Sequence, residues 1–144
     1  MHVEKIPYEA WELMMSENAH RAVFEEKRPR FFSKIDFALL AIHPNNEPAA
    51  YCTVRELDAE SVYWQFGGAF DNVRNQTWAV TAYKSLLDWN KEKYKRITHY
   101  IENTNIRYLK LAMQFGFRII GVRLFEGRVF VELLNELESK DGNS

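Results

Sequence analysis

Between Ser61 and Ile101 the chain carries a strand-length apolar run, a long amphipathic segment and a second strand-length run in close succession. Two strands joined through one helix as a β-α-β unit are expected to lie parallel, because such a crossover returns the chain to the end of the sheet where it began. Ser61 to Phe70 reads as the first of these strands and Arg96 to Ile101 as the second. Asn75 is suited to cap the helix between them, which is expected to reach about Tyr94. Ala79, Ala82, Tyr83 and Leu86 fall on one face of that helix, with Val80 and Leu87 beside them. Lys91, Lys93 and Lys95 complement the negative end of its dipole. Paired glycines inside the first strand, Gly67-Gly68, imply a bulge or a ligand that approaches the backbone closely.

The remaining segments hang on this unit. Residues 7 to 27 read as one or two short helices. Pro7 suits a first helical turn, and Trp11, Met14 and Met15 share a face. Ser16 is placed to cap a second helix with Ala19, Ala22 and Val23 inward, which Arg28-Pro29-Arg30 ends. Phe37 to Ile42 and Ala49 to Arg55 are strand-length runs joined by a His43-Pro44-Asn45-Asn46 turn. With Ser61 to Phe70 they succeed one another through short polar links, which implies antiparallel pairing. After Ile101 a helix capped by Thr104 or Asn105 is expected to bury Ile106, Leu109 and Met113 and to stop at Gly116. Arg118 to Glu126 and Arg128 to Leu134 then form a hairpin about Gly127. The expected architecture is α+β: one domain over residues 1–137, built on a mixed, mostly antiparallel sheet flanked by helices. A polar tail over 138–144 is expected to fray.

Composition narrows the functions open to such a domain. A formal net charge of −1 offers no broad basic footprint for nucleic acid. Cys52 is the one cysteine, so no intrachain disulfide can form and a reducing compartment is expected. No apolar run has the length of a membrane span or of a signal peptide, and the expectation is a soluble, cytoplasmic protein. His2, His20, His43 and His99 lack metal-ligand spacing, so no metal site is expected. No Gly-x-Ser-x-Gly elbow is present. His99 reads as a packed mid-strand residue and His43 as a solvated turn residue. By strand alternation Trp64, Phe66 and Phe70 face one way, as core, and Tyr63 and Gln65 the other.

Two stretches carry more specific information: Ala69-Phe70-Asp71-Asn72-Val73-Arg74-Asn75-Gln76-Thr77-Trp78-Ala79, and Asn105 through Leu111 to Gly116-Phe117. In this element order they resemble the GNAT family of N-acetyltransferases over roughly residues 37 to 135. That family moves an acyl group from acyl-CoA to an amine, and the resemblance implies its single-domain acyl-CoA N-acyltransferase fold with acetyl-CoA as co-substrate. Its cofactor loop reads Arg/Gln-x-x-Gly-x-Gly/Ala. Arg74, Thr77 and Ala79 stand at those positions, with Thr77 in place of the central Gly. The resemblance therefore implies that Ala69, Phe70, Arg74, Asn75, Gln76, Thr77, Trp78 and Ala79 line the CoA site, the helix N-terminus offering amides and a positive dipole to the pyrophosphate. A β-branched Thr crowds that approach, although its hydroxyl can donate to phosphate.

Asn105, Leu111, Gly116 and Phe117 match the second family element, in which the Asn helps to hold the pantetheine arm. Many members place a Tyr four residues before the Gly, as the acid for the departing thiolate. Here that position is Ala112, and Tyr108 lies one turn earlier, about 6 Å along the axis. Tyr108 is thus the candidate acid. The candidate base is Asp71, with Glu60, Glu102 and Asn103 as further options near the ends of the flanking strands. A main-chain N–H near Gly68-Ala69-Phe70 is expected to hold the thioester oxygen. The Gly116–Val122 stretch resembles the branch that modifies ribosomal-protein N-termini, whose members often lack the Tyr. The implied acceptor is a small amine or a protein N-terminal amine, and the implied state is a monomer or homodimer. Thr77 and Ala112 also fit a second reading: a non-catalytic binding or assembly protein on the same fold, such as the phage-encoded members found near head-assembly genes.

Overall fold

The computed structural model describes residues 1–16, 34–70 and 77–137, without the side chains of Phe66 and Thr77. Its elements run β1 (His2–Pro7), α1 (Tyr8–Ser16), β2 (Phe37–Ile42), β3 (Pro48–Glu56), β4 (Ser61–Ala69), α2 (Thr77–Lys93), β5 (Arg96–Glu102), α3 (Ile106–Gln114), β6 (Arg118–Phe125) and β7 (Arg128–Glu136). The strands follow the order β1-β2-β3-β4-β5-β7-β6. Ser61–Trp64 of β4 pairs parallel with Arg96–His99 of β5, as a strand–helix–strand crossover requires. The β1–β2, β2–β3, β5–β7 and β6–β7 pairs are antiparallel. The sheet is therefore mixed and mostly antiparallel. The proposed helix over Ala19–Val23 and the tail from 138 lie outside the described residues.

The first strand corrects the expected helical start. Pro7 closes β1, paired with Phe37, instead of opening a helix. The sequence conceals this strand, because only Val3 and Ile6 among its interior residues are half-buried and they do not alternate. Its place at the sheet edge tolerates a proline, which lacks the N–H that a central strand needs.

The chain divides into two compact units, Met1–Arg55 with Gln65–Leu86 and Glu56–Trp64 with Leu87–Ser144. In the first, Trp11 and Met15 of α1 are buried with Ala38, Leu40, Ile42, Tyr51 and Phe70. The Trp11 ring lies 5.4 Å from Tyr8 and 5.6 Å from Tyr51, and Tyr51 lies 5.3 Å from Phe70. Each large apolar side chain buried here contributes on the order of 2 kcal/mol. All six residues of β2 are buried, so it reads as a continuous apolar run and not as an alternation. On β4 the expected alternation also gives way, since Tyr63, Trp64 and Gln65 are all buried.

In the second unit β5 alternates as a half-buried strand should, with Ile97, His99 and Ile101 buried. The β6–β7 hairpin turns through Glu126 (φ 49°) and Gly127 (φ 76°), with Phe125 paired to Arg128. Two left-handed residues in a two-residue loop match the right-handed twist of the strands. β7 returns between β5 and β6, with Leu133 fully buried. On α3 the buried stripe differs from the expected one. Ile106 and Met113 are about half exposed, Leu109 is half-buried and Ala112 is fully buried. The inward stripe is Asn105, Tyr108, Leu109 and Ala112, because Tyr108 packs its ring 5.5 Å from that of His99 and rolls the helix round. On α2 the inward face holds Ala82, Tyr83, Leu86 and Leu87 as expected, with Asn90 added and Val80 exposed.

Candidate functional site

β4 leads toward α2, and the residues proposed for CoA lie around this junction. Asp71, Arg74, Asn75 and Gln76 fall outside the described residues. Phe70 is committed to the first unit: its ring is buried against Tyr51, and its N–H donates to the Ala49 carbonyl at 2.9 Å. That amide is therefore engaged on the β3 side. Successive amides of a strand point to opposite edges, so the Ala69 N–H is directed away from β3. Of the three expected donors near Gly68-Ala69-Phe70, the Phe70 N–H is thus already taken.

Thr77 is the first helical residue of α2, and the first turn of this 17-residue helix contains no carboxylate. Its leading amides and the positive end of the dipole are thus unopposed by acidic side chains from that turn. Trp78 is 40% exposed, and Ala79 is half-buried and too small to obstruct. The Trp78 ring meets His43 edge-on at 4.4 Å. His43 is itself fixed in the β2–β3 turn, where its Nδ1 accepts from the Asn45 N–H at 3.2 Å and its carbonyl accepts from the Asn46 N–H at 2.8 Å. A residue read from sequence as a solvated turn position thereby braces the start of α2. Only a contact across the fold reveals that. This donor set fits the pyrophosphate of CoA: main-chain amides, a small side chain and no competing anion in the turn.

In the second unit the sequence-derived residues converge on α3. Asn105 is the N-cap, its Oδ1 accepting from the Tyr108 N–H at 3.4 Å. The side-chain amide retains its donor end for other partners. Tyr108 is half-buried against His99. His99 is 2% exposed, its Nδ1 lies 2.8 Å from the Trp64 carbonyl, and its ring is 6.1 Å from that of Trp64. A carbonyl only accepts, so His99 carries a proton on Nδ1 and donates it there. Trp64 and His99 form the last pair of the β4–β5 ladder, beyond which β4 runs on to Ala69 and β5 to Glu102. Ala112, at the position where a tyrosine was sought, is fully buried. Gly116 takes φ 100° to end the helix, and Asn135 Nδ2 donates to the Phe115 carbonyl at 3.1 Å beside it.

Asn103 lies in the turn after β5, where its N–H donates to the Val129 carbonyl at 3.0 Å. Glu102 is held in a bidentate pair with Arg128 at 2.7 and 2.9 Å, which occupies both carboxylate oxygens. Glu60 pairs with Lys95 and Arg96. Cys52 is buried in β3, and burial pushes its thiol well above the ordinary range. Among the described residues no group of His, Cys, Asp and Glu is arranged to hold a metal ion, and no helix is long and apolar enough to cross a membrane.

Comparison with solved structures defines the fold. A GNAT family acetyltransferase from Elizabethkingia anophelis, solved with acetyl-CoA bound, matches with a TM-score of 0.60 at 22% identity, over 70% of this chain and 76% of its own. An IAA acetyltransferase from Bacillus cereus matches with a TM-score of 0.63 at 14% identity, over 94% and 98%. Mutant forms of the spermidine/spermine N-acetyltransferase SpeG from Vibrio cholerae match at 0.60 and 13% identity, over 70% and 66%. No protein-family model matches the sequence, and no curated protein matches it significantly. The chain thus has the acyl-CoA N-acyltransferase fold of the GNAT proteins.

Proposed function

We propose that this protein transfers an acyl group, acetyl first among them, from acetyl-CoA to an amine by direct attack of the amine on the thioester. The observation that carries the reading is the junction itself. A short parallel β4–β5 ladder ends at Trp64–His99, β4 continues to Ala69, and α2 opens with a first turn free of carboxylates. The fold adds support, since one neighbour was solved with acetyl-CoA and others are named for spermidine and spermine acetylation. In this account residues 1–137 form the acyltransferase domain. The first-turn amides of Thr77, Trp78 and Ala79, with Arg74, Asn75 and Gln76 before them, bind the pyrophosphate. The Ala69 N–H holds the thioester oxygen, a contribution of about 3–4 kcal/mol to the transition state if it equals a typical oxyanion-hole donor. Asn105 secures the pantetheine side, Tyr108 protonates the departing thiolate, and Asp71 is one candidate base. The acceptor is a small amine, or a protein N-terminal amine as the Gly116–Val122 stretch suggests. The protein works in the cytoplasm as a monomer or homodimer.

A second reading is favoured by one observation: Ala112 is fully buried, so the position where many members carry their acid is packed and not merely unfilled. A protein that keeps the fold without turnover, in binding or phage head assembly, would have this feature. Release of free CoA thiol from acetyl-CoA, measured over a panel of amines and N-terminal peptides, separates the two. Amine-dependent release that falls in Tyr108→Phe supports the transferase. Acetyl-CoA binding without release for any acceptor supports the non-catalytic protein.

A further inference from the structure

Tyr100 follows His99 on β5, so it points to the face opposite α3. On that face four neighbouring strands of the second unit bring together a row of side chains that the reaction above leaves unused. The Tyr63 ring of β4 is 5.7 Å from that of Tyr100. The Tyr100 hydroxyl donates to Glu132 Oε2 of β7 at 2.5 Å. Arg123 of β6 sets its guanidinium 5.8 Å from the Tyr100 ring. Gly121 pairs with Glu132, and a Cβ there would stand 3.1 Å from Glu132 Oε1. A side chain there would press the Glu132 carboxylate aside by a few tenths of an ångström. Burial raises both phenols above their ordinary value, helped at Tyr63 by the neighbouring Tyr100 and at Tyr100 by its hydrogen bond to Glu132, so both stay protonated near neutrality.

The row also has a telling position. Tyr63 sits one residue before the last β4–β5 rung, and Tyr100 is the first residue of β5 beyond it. It lies where the ladder ends, on the side away from Tyr108. The nearby carboxylates of this face are already tied, Glu102 to Arg128 and Glu136 to Arg118. Glu132 instead is oriented by a phenol, which leaves it acceptor capacity. A carboxylate beside the Tyr100 ring, with the Tyr63 ring next along the row, attracts a cation through charge and through the ring quadrupoles together.

We propose that this row is the acceptor subsite, with Glu132 binding a primary ammonium and taking its proton. The inference rests on the acyltransfer reading and offers Glu132 as the base in place of Asp71. One ammonium proton passes to the Glu132 carboxylate, and from there to water. The freed lone pair forms the C–N bond at the thioester carbon, and the C–S bond breaks with its electron pair on sulfur. The thiolate takes a proton from Tyr108, which the second proton of the attacking nitrogen replaces. Tyr63 and Tyr100 frame the stem of the amine. Arg123, the guanidinium facing the cluster, opposes a cation there and draws the subsite toward modest affinity.

Steady-state rates with benzylamine at saturating acetyl-CoA, set beside calorimetric titration of acetyl-CoA, test this. Glu132→Gln is expected to lower kcat/KM for benzylamine by about 100-fold or more, within the range of general-base catalysis, with acetyl-CoA affinity unchanged. Gly121→Val, which displaces the carboxylate without removing it, lowers it in the same sense. Arg123→Ala lowers the KM for benzylamine, and a raised KM would overturn the assignment of a cationic ligand. Glu132→Gln with wild-type kcat/KM and intact acetyl-CoA binding overturns the subsite alone. A wild type that binds no acetyl-CoA overturns the acyltransfer reading and this subsite with it.

Discussion

Asn105 is assigned two duties, and they can be separated by one atom. Its Oδ1 caps the nine-residue helix α3, and its amide N–H is proposed to face the pantetheine arm. Replacing an N-cap Asn by Ala costs about 0.5–2 kcal/mol. The contact to the Tyr108 N–H is long at 3.4 Å, which puts the expected loss in the lower half of that range, about 1 kcal/mol. For a chain of this size that is a fall of roughly 3–5 °C in Tm. A lost neutral hydrogen bond to the ligand adds a separate effect of about 1 kcal/mol, or roughly fivefold in Kd. Asn105→Asp keeps the cap acceptor and places a carboxylate at the positive end of the helix, so it should melt like the wild type or slightly above it. It lacks the amide donor, so its acetyl-CoA affinity should stay low. Thermal melts and calorimetric titrations of both variants give the answer. If Asn105→Ala loses stability but binds acetyl-CoA as the wild type does, the residue is a cap and nothing more. If Asn105→Ala melts unchanged, the capping argument itself is wrong.

Further outcomes follow from burial. Ala112→Tyr, which would restore the usual acid by sequence logic, should instead overpack a fully buried position and cost about 1–3 kcal/mol in denaturant unfolding; a stable variant with raised turnover would contradict this. Cys52, buried with its thiol raised, should resist iodoacetamide at pH 8 in the folded protein and react fully once unfolded; fast native alkylation would mean the strand opens readily. Tyr63 and Tyr100 hold their protons more tightly folded than unfolded, so the stability they contribute is complete below the unfolded phenol value of about 10 and is lost as pH rises above it. Denaturant midpoints should fall above about pH 10, and Tyr63→Phe should reduce that slope.

The parts of the fold written in periodicity were legible in the chain. The β4–α2–β5 crossover, the hairpin at Gly127 and the stop at Gly116 all follow from local pattern and backbone freedom. β1 was not, because a mostly exposed edge strand is stabilised by its ladder with β2 and carries little hydrophobic signature of its own. The rotation of α3 was hidden for a related reason: Ile106, Leu109 and Met113 form a good apolar stripe, but the His99–Tyr108 contact selects the neighbouring one. Of the candidate site, the Asn105 cap of α3 could be read from spacing, whereas the residue expected to cap α2 lies outside the described residues. Tyr63, Tyr100, Glu132 and Gly121 could not be grouped, since they lie on four strands brought side by side only by the order β4-β5-β7-β6. The commitment of the Phe70 amide to Ala49 is likewise a property of strand pairing and not of sequence.

The central claim is that acetyl-CoA binds where α2 opens, and calorimetric titration of the wild type and of Ala79→Glu with acetyl-CoA tests it most directly. The account predicts saturable one-to-one binding by the wild type, with Kd between about 1 μM and 1 mM as acyl-donor KM values usually fall. It predicts that binding is abolished in Ala79→Glu, whose carboxylate would face the pyrophosphate at the helix start, while the variant's melting curve stays near that of the wild type. A wild type that takes up no acetyl-CoA at millimolar concentration, or a folded Ala79→Glu that binds it equally well, would contradict the account.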